Sequence, residues 1–176
     1  MAKRPGLGLV HIITGNGKGK TTAAFGLAMR AAGRGLKVVI LQFMKGRVTY
    51  GELRSAEKLG IVVQQFGRKE FVDKANPQPA DFEGAKAGLE EARRVLSSHA
   101  CDLLVLDEVN VALDFKLLTA EEVEALIRTK PKDVELVLTG RNVPSSLLPL
   151  ADYVSEVREI KHPYQKGVEA RLGIEH

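Results

Sequence analysis

The stretch Thr14-Gly15-Asn16-Gly17-Lys18-Gly19-Lys20-Thr21-Thr22 constrains this chain more than any other, because it follows the apolar run Leu9 to Thr14 and opens a helix that reads Ala23 to Ala32. Strand, glycine-rich loop and helix in that order make a P-loop. The glycines let the backbone wrap phosphates closely, and the amides at the helix N-terminus point toward negative charge. Lys20 is placed to reach phosphate oxygens, and the Thr21 hydroxyl to meet a magnesium ion that bridges them. One departure stands out: the general pattern wants glycine where this chain has Thr14, and its glycines alternate instead at 15, 17 and 19.

Apolar runs alternate with amphipathic segments along the chain. Candidate strands are Leu9 to Thr14, Lys37 to Phe43, Ile61 to Phe66, Asp102 to Asp107, Val134 to Thr139 and Tyr153 to Ile160. Most are continuously apolar, which suits strands buried on both faces of a parallel sheet. The expectation is an α/β, three-layer, RecA-like P-loop fold with a mostly parallel sheet of about six strands and helices on both faces. Residues 1–176 are expected to form a single nucleotide-binding domain.

Between the strands, Asp81 to Ser98 reads as a helix that Asp81 caps, with Phe82, Ala85, Leu89, Ala92 and Leu96 on its inner side. Its charges, Glu83, Lys86, Glu90, Arg93 and Arg94, are read as solvated surface. Thr119-Ala120-Glu121-Glu122 is a capping box, and Pro131 lies beyond the end of the helix it starts. Gly67 to Ala80, with Asn76-Pro77-Gln78-Pro79, reads as a long loop suited to holding substrate.

Composition narrows the classes. Hydrophobic residues make up 44% and charged residues 27%, as in a folded soluble domain. No apolar run nears the roughly 18 residues of a membrane span. Lys3 and Arg4 precede Leu7 to Ile13 as in a signal peptide, but no small-residue cleavage site follows, and cleavage there would destroy the glycine loop. Cys101 is the single cysteine, so no intramolecular disulfide forms and a cytoplasmic location is expected. The net charge of +4 favours an anionic ligand such as a nucleotide. Scattered basic residues, 5% aromatics and no tryptophan argue against a nucleic-acid partner.

Asp102 to Glu108 is an apolar strand ending in two acids, the Walker B arrangement that holds magnesium at the carboxyl edge of a sheet. Asp107 is the preferred metal partner, while Glu108 is open between binding the metal, holding a water and orienting a neighbour. Gln42-Phe43-Met44-Lys45-Gly46 and Thr139-Gly140-Arg141 follow other strands and gather at the same edge. Arg141 is a candidate for triphosphate oxygens, and Lys45 a weaker one. His11 is expected in the core, and Cys101 as a filler without chemistry.

Together these residues resemble the ATP-dependent corrinoid (cobalamin) adenosyltransferases of the P-loop type, found in cobalamin synthesis and salvage. The likeness rests on Gly15 to Gly26, Gln42 to Gly46, Leu106-Asp107-Glu108-Val109-Asn110-Val111-Ala112-Leu113, Leu138-Thr139-Gly140-Arg141, Ala151 to Glu156, Lys161-His162-Pro163 and Gly173-Ile174-Glu175. Thr14, odd by the general pattern, is ordinary in this family.

The resemblance implies transfer of the 5′-deoxyadenosyl group of ATP to the Co(I) of a corrinoid, with release of triphosphate. It implies ATP as co-substrate, Mg2+ or Mn2+, an electron donor that reduces Co(II), and a homodimer. It places Gly15, Asn16, Gly17, Lys18, Gly19, Lys20, Thr21, Thr22, Lys45, Phe71, Asn110 and Arg141 at the ligands; Lys20, Glu108 and Arg141 at the chemistry; and Thr21, Asp107 and Glu108 at the metal. ATP is expected to lie reversed relative to ordinary P-loop enzymes. Related enzymes use a phenylalanine and a nearby tryptophan to displace the corrinoid's lower ligand; Phe71 matches the first, but Val72 and Asp73 stand where the tryptophan falls, so Phe82 is a second candidate. The N-terminal lid of longer relatives is expected to be missing. A RecA-like ATPase or nucleic-acid motor module is the main alternative, and a non-catalytic nucleotide or corrinoid carrier a third reading.

Overall fold

The computed structural model describes residues 6–46 and 50–175; Lys3 and Arg4 lie outside the described residues. Six strands form one sheet: β1 (Val10–Thr14), β2 (Val38–Phe43), β3 (Val62–Phe66), β4 (Leu103–Asp107), β5 (Glu135–Thr139) and β6 (Tyr153–Glu156), in the order β3-β2-β4-β5-β1-β6. Every pairing is parallel. The helices are α1 (Lys20–Gly33), α2 (Gly51–Lys58), α3 (Pro79–Ser97), α4 (Val109–Asp114) and α5 (Ala120–Thr129), with 3₁₀ turns at Ser145–Leu150 and Pro163–Lys166.

Alternation along the strands divides the core in two. Val39, Leu41, Leu104, Leu106, Leu136 and Leu138 pack with residues of α3, α4 and α5 on one face. Val38, Ile40, Leu103, Val105 and Val137 pack with α1 and α2 on the other. Continuous Val, Ile and Leu runs are thus explained by two covered faces, as a parallel sheet requires. The middle layer between two helical layers is the expected three-layer arrangement, and the sheet is wholly rather than mostly parallel. Among the described residues no helix is long and apolar enough to cross a membrane.

Several expectations differ from the structure. Pairing in β6 stops at Glu156, not Ile160, because β1 ends at Thr14 and turns into the P-loop, so the chain beyond has no strand to follow. Helix α3 starts at Pro79, whose fixed φ suits a first helical position, and this takes Pro79 and Ala80 out of the predicted loop. Asp81 is therefore not the cap residue: it lies in the first turn, accepts from the Gln78 amide at 2.8 Å, and pairs with Arg68 at 2.7 Å. Phe82 does not share the inner face with Leu89, being 39% exposed against 1%. The inward row is Ala85, Leu89, Ala92 and Leu96, with Val95 beside it.

His11 is half-buried instead of sealed in the core, because its neighbour β6 is an edge strand: its Nε2 lies 2.6 Å from Glu135 and its ring stacks on Tyr153. Cys101 is buried, and desolvation pushes its thiol up to about 12, in keeping with a filler role. The Thr119 capping box forms as read, with Thr119 N donating to Glu122 at 2.9 Å.

Urea denaturation should separate two residues that helical spacing groups together. Leu89→Ala removes a sealed side chain and should cost about 2–5 kcal/mol, whereas Phe82→Ala should cost well under half of that. Equal losses would return Phe82 to the core.

Candidate functional site

Strand parity selects the side chains that reach the site. In β4, Leu103 and Val105 face α1 and α2, so Asp107 continues that row. The same alternation turns Gln42 of β2, Thr139 of β5 and Gln65 of β3 to the α1 side at the carboxyl edge. The residues after each strand then form the rim, as in other open α/β sheets.

Asp107 is fully buried and saturated. Its Oδ1 accepts from Thr21 Oγ1 at 2.9 Å and Thr139 Oγ1 at 2.8 Å. Its Oδ2 accepts from Gln42 Nε2 at 3.0 Å and Lys45 Nζ at 2.8 Å. Four donors fill about the four lone-pair positions that a carboxylate offers. Gln65 Nε2 donates to Gln42 Oε1 at 2.9 Å, which fixes the direction of the Gln42 amide. Burial works to lower the Lys45 pKa, but the charge and hydrogen bond of Asp107 outweigh it and hold it above the usual lysine range.

Glu108 behaves differently. Its backbone is left-handed, φ 64°, and its amide donates to Thr139 Oγ1 at 3.0 Å. That twist turns its side chain out of the strand row and into a cavity of about 550 Å³ lined also by Lys20, Thr21, Thr22 and Arg141. Burial, then the charge of Asp107, raises its pKa against the pull of Lys45, Lys20 and Arg141. Lys20, at the first position of α1, donates to Gly17 O at 2.7 Å, and burial lowers its pKa despite nearby Glu108.

The alternating glycines serve the tail as well as a ligand. At Gly15, φ 97°, a Cβ would strike the Val157 carbonyl, and at Gly17 it would lie 2.7 Å from Arg158 O. Gly17 N donates to Val157 O at 2.7 Å, so this amide is committed to the chain beyond β6. Gly19 has φ 123° and open space, and it precedes α1, whose first turn carries no acidic side chain. The amides that open a helix lack intrahelical acceptors and suit an anion.

Other predicted residues are placed as follows. Lys18 borders the cavity but lies 3.5 Å from Ile174 O and 4.0 Å from Glu175, beside the tail. Lys45, with Thr21 and Thr22, lines an adjoining cavity of about 560 Å³ walled by Phe25, Tyr50 and Ile174. Asn16 is exposed and borders neither cavity. Asn110 is fully buried, lines neither cavity, and has no hydrogen-bond partner for either amide atom among the described residues. Phe71 is 84% exposed on the 67–78 loop and also lines neither. That loop is tied down past Phe71, where Lys74 Nζ donates to Asp114 at 2.6 Å and Asn142 donates to the same carboxylate at 3.1 Å.

Sequence reading assigned no role to Gln65, Asp114 or the tail residues His162, Ile174 and Glu175, which wall the site or brace it. The parity of β3 against β2 could have found Gln65; nothing local marks the tail as a wall. Its end is held by Arg171, whose hydrogen bonds bring the Glu175 carboxyl down to about 2. Among the described residues no three or more His, Cys, Asp or Glu converge as a metal cage.

Residues 6–176 match the family described as ATP:corrinoid adenosyltransferase BtuR/CobO/CobP. The corrinoid adenosyltransferase of Escherichia coli K12 is 37% identical over 169 residues, covering 96% of this chain and 86% of that protein. The corrinoid adenosyltransferase CobA of Salmonella typhimurium is similar to the same degree, 37% over 169 residues, 96% and 86%. That of Pseudomonas aeruginosa is 36% identical over 174 residues, covering 97% and 83%. Among solved structures, a KaiC-like protein of Pyrococcus horikoshii superposes with a TM-score of 0.56 at 16% identity, over 88% of this chain and 75% of that one, a likeness of fold.

Gln42 is the test of the buried network. Gln42→Leu leaves Asp107 one donor short and strands the Gln65 amide, so it should cost about 1.5–3 kcal/mol, the range for a hydrogen bond to a charged group. An unchanged urea midpoint would contradict the assignment.

Proposed function

The chain belongs to the ATP:corrinoid adenosyltransferase family BtuR/CobO/CobP, and on that premise we propose that its P-loop site binds ATP by the triphosphate and transfers the 5′-deoxyadenosyl group to a corrinoid. The electron pair of Co(I) attacks C5′, the cobalt–carbon bond forms, the C5′–oxygen bond breaks, and its electron pair leaves with the intact triphosphate. One observation carries this reading: Lys20, Arg141 and the N-terminus of α1 converge on a single cavity, lined among the described residues by no serine or cysteine. Such a pocket stabilises a departing polyanion, while the nucleophile comes with the substrate.

The donor set fits magnesium. Thr21 gives its proton to Asp107 and accepts a long bond from Lys45 at 3.5 Å, which leaves an oxygen lone pair for the ion, and Glu108 offers a carboxylate on the same cavity. Two hard oxygen donors supplemented by phosphate oxygens are what Mg2+ usually takes from a protein. Bound there, the ion would neutralise charge on the triphosphate. Thr21 and Glu108 are assigned as its ligands, and Asp107, with its lone pairs occupied, as the residue that orients Thr21. Mn2+ suits the same oxygen set.

Lys20 leaves the Gly17 carbonyl for a phosphate oxygen, and Arg141 meets the triphosphate from the rim after the neighbouring strand β5. Phe71 is assigned to the lower face of the corrinoid, where it excludes water and an axial donor; Val72 beside it packs on the core and anchors the loop. The remaining assignments follow the family: a separate electron donor, a homodimer, a cytoplasmic location.

Adenosylation of chemically reduced corrinoid tests this directly. Lys20→Ala should lower the rate by about 10²-fold or more, the usual loss when a preorganised charge donor is removed. Glu108→Gln should raise the magnesium concentration needed for half-maximal ATP binding, whereas Asp107→Asn should chiefly lower stability. Adenosylation by Lys20→Ala at the wild-type rate would refute the site.

A further inference from the structure

The cavity at the P-loop has one wall from the C-terminal chain, and His162 stands in it. This segment is fastened to the loop it faces. β6 runs beside β1 to the pair Thr14–Glu156, Val157 N donates to Thr14 O at 2.8 Å, and Gly17 N donates to Val157 O at 2.7 Å. Gly15 and Gly17 lack the Cβ atoms that would push residues 157 and 158 away. The chain then makes the turn Pro163–Lys166, closed by Gly167 N donating to Tyr164 O at 2.9 Å.

At the start of that turn, His162 Nδ1 accepts the Tyr164 amide at 3.2 Å. A neutral imidazole that accepts at Nδ1 carries its proton on Nε2. The ring thus has its tautomer set by the backbone and its remaining polar atom is a donor, on a residue that lines the same cavity as Lys20, Thr21 and Arg141. Cations on that lining and the amides that open α1 make an anionic oxygen such as that of phosphate a fitting partner for that donor.

We propose that His162 is a triphosphate-binding residue: its Nε2–H donates to a non-bridging phosphate oxygen, and the hydrogen bond at Nδ1 orients the ring for this. The inference rests on the ATP-binding reading above and adds a neutral donor from the tail to the cations of the P-loop and the β5 rim. It also gives the braced tail a purpose, since a wall tied to the P-loop backbone keeps its donor in register with the phosphates.

Two substitutions divide the two nitrogens of the ring. His162→Asn keeps an acceptor for the Tyr164 amide and removes the distal donor; His162→Gln restores an N–H near the position of Nε2. Calorimetry with inorganic triphosphate and magnesium should show about a tenfold loss of affinity for the Asn variant, the low end for a hydrogen bond to a charged group. The Gln variant should lie within about threefold of wild type on the same scale. Hydrogen exchange over residues 157–168 should be unchanged in the Asn variant, which keeps the acceptor, and in the Gln variant should rise at the Tyr164 amide alone. Equal affinity of wild type and His162→Asn, a Gln variant as weak as the Asn variant, or a loss matched by faster exchange across the tail would each overturn the proposal. Because binding of inorganic triphosphate is read without turnover, a wild type that binds it yet transfers no adenosyl group would defeat the proposed reaction and not this assignment.

Discussion

Everything at the carboxyl edge of the sheet depends on one buried charge. Asp107 is sealed from solvent and is held by donors from α1, β2, β5 and the segment after β2. A charge in that position is tolerated only with its partners in place; stripping a buried ion of its partner costs about 3–5 kcal/mol. The requirement works in both directions. Asp107 fixes the rotamers of Thr21, Thr139, Gln42 and Lys45, and those four residues belong to separate elements whose spacing is thereby defined. Thr139 passes the constraint on, since its oxygen also receives the Glu108 amide and so helps hold the left-handed turn that aims Glu108 into the cavity.

The two neighbouring acids consequently divide their work. Strand geometry alone makes Asp107 and Glu108 point to opposite faces. The left-handed backbone at Glu108 changes this, so one acid organises the site from beneath and the other enters it. A left-handed non-glycine residue is uncommon, and its location between a buried hub and a ligand cavity fits a position where local strain is retained for function. The tail supplies the other boundary. Its passage across the P-loop accounts for glycine at 15 and 17, where phosphate binding alone would have accounted for glycine in any arrangement that leaves the amides open.

Much of this was legible in the residues. The strand–glycine loop–helix order, the apolar run ending in Asp107-Glu108 and the Arg141 rim all appear where the sequence puts them, because each is a local pattern with a local cause. The strand starts Leu9, Lys37, Ile61, Asp102 and Val134 each lie one residue ahead of the observed start, a fraying that apolar composition does not resolve. What the sequence hid was long-range. Parity along β3 marks the side Gln65 takes, but only the pairing of β3 with β2 brings it to Gln42, and nothing in Lys161-His162-Pro163 reveals that it shares a cavity with Lys20. Phe82 fits the helical period yet lies partly exposed near the start of α3, because period fixes a direction around the helix and not the extent of the layer beneath it. Asn110 matches a family block but is buried away from both cavities, with its amide unpartnered among the described residues.

A P-loop that stabilises a triphosphate leaving as one piece breaks the bond to C5′ and keeps the phosphoanhydride bonds. Phosphorus NMR of the products formed from ATP and a corrinoid reduced to Co(I) reads this directly. Inorganic triphosphate should appear in step with adenosylated corrinoid, one for one. ADP and orthophosphate accumulating in place of triphosphate would contradict it.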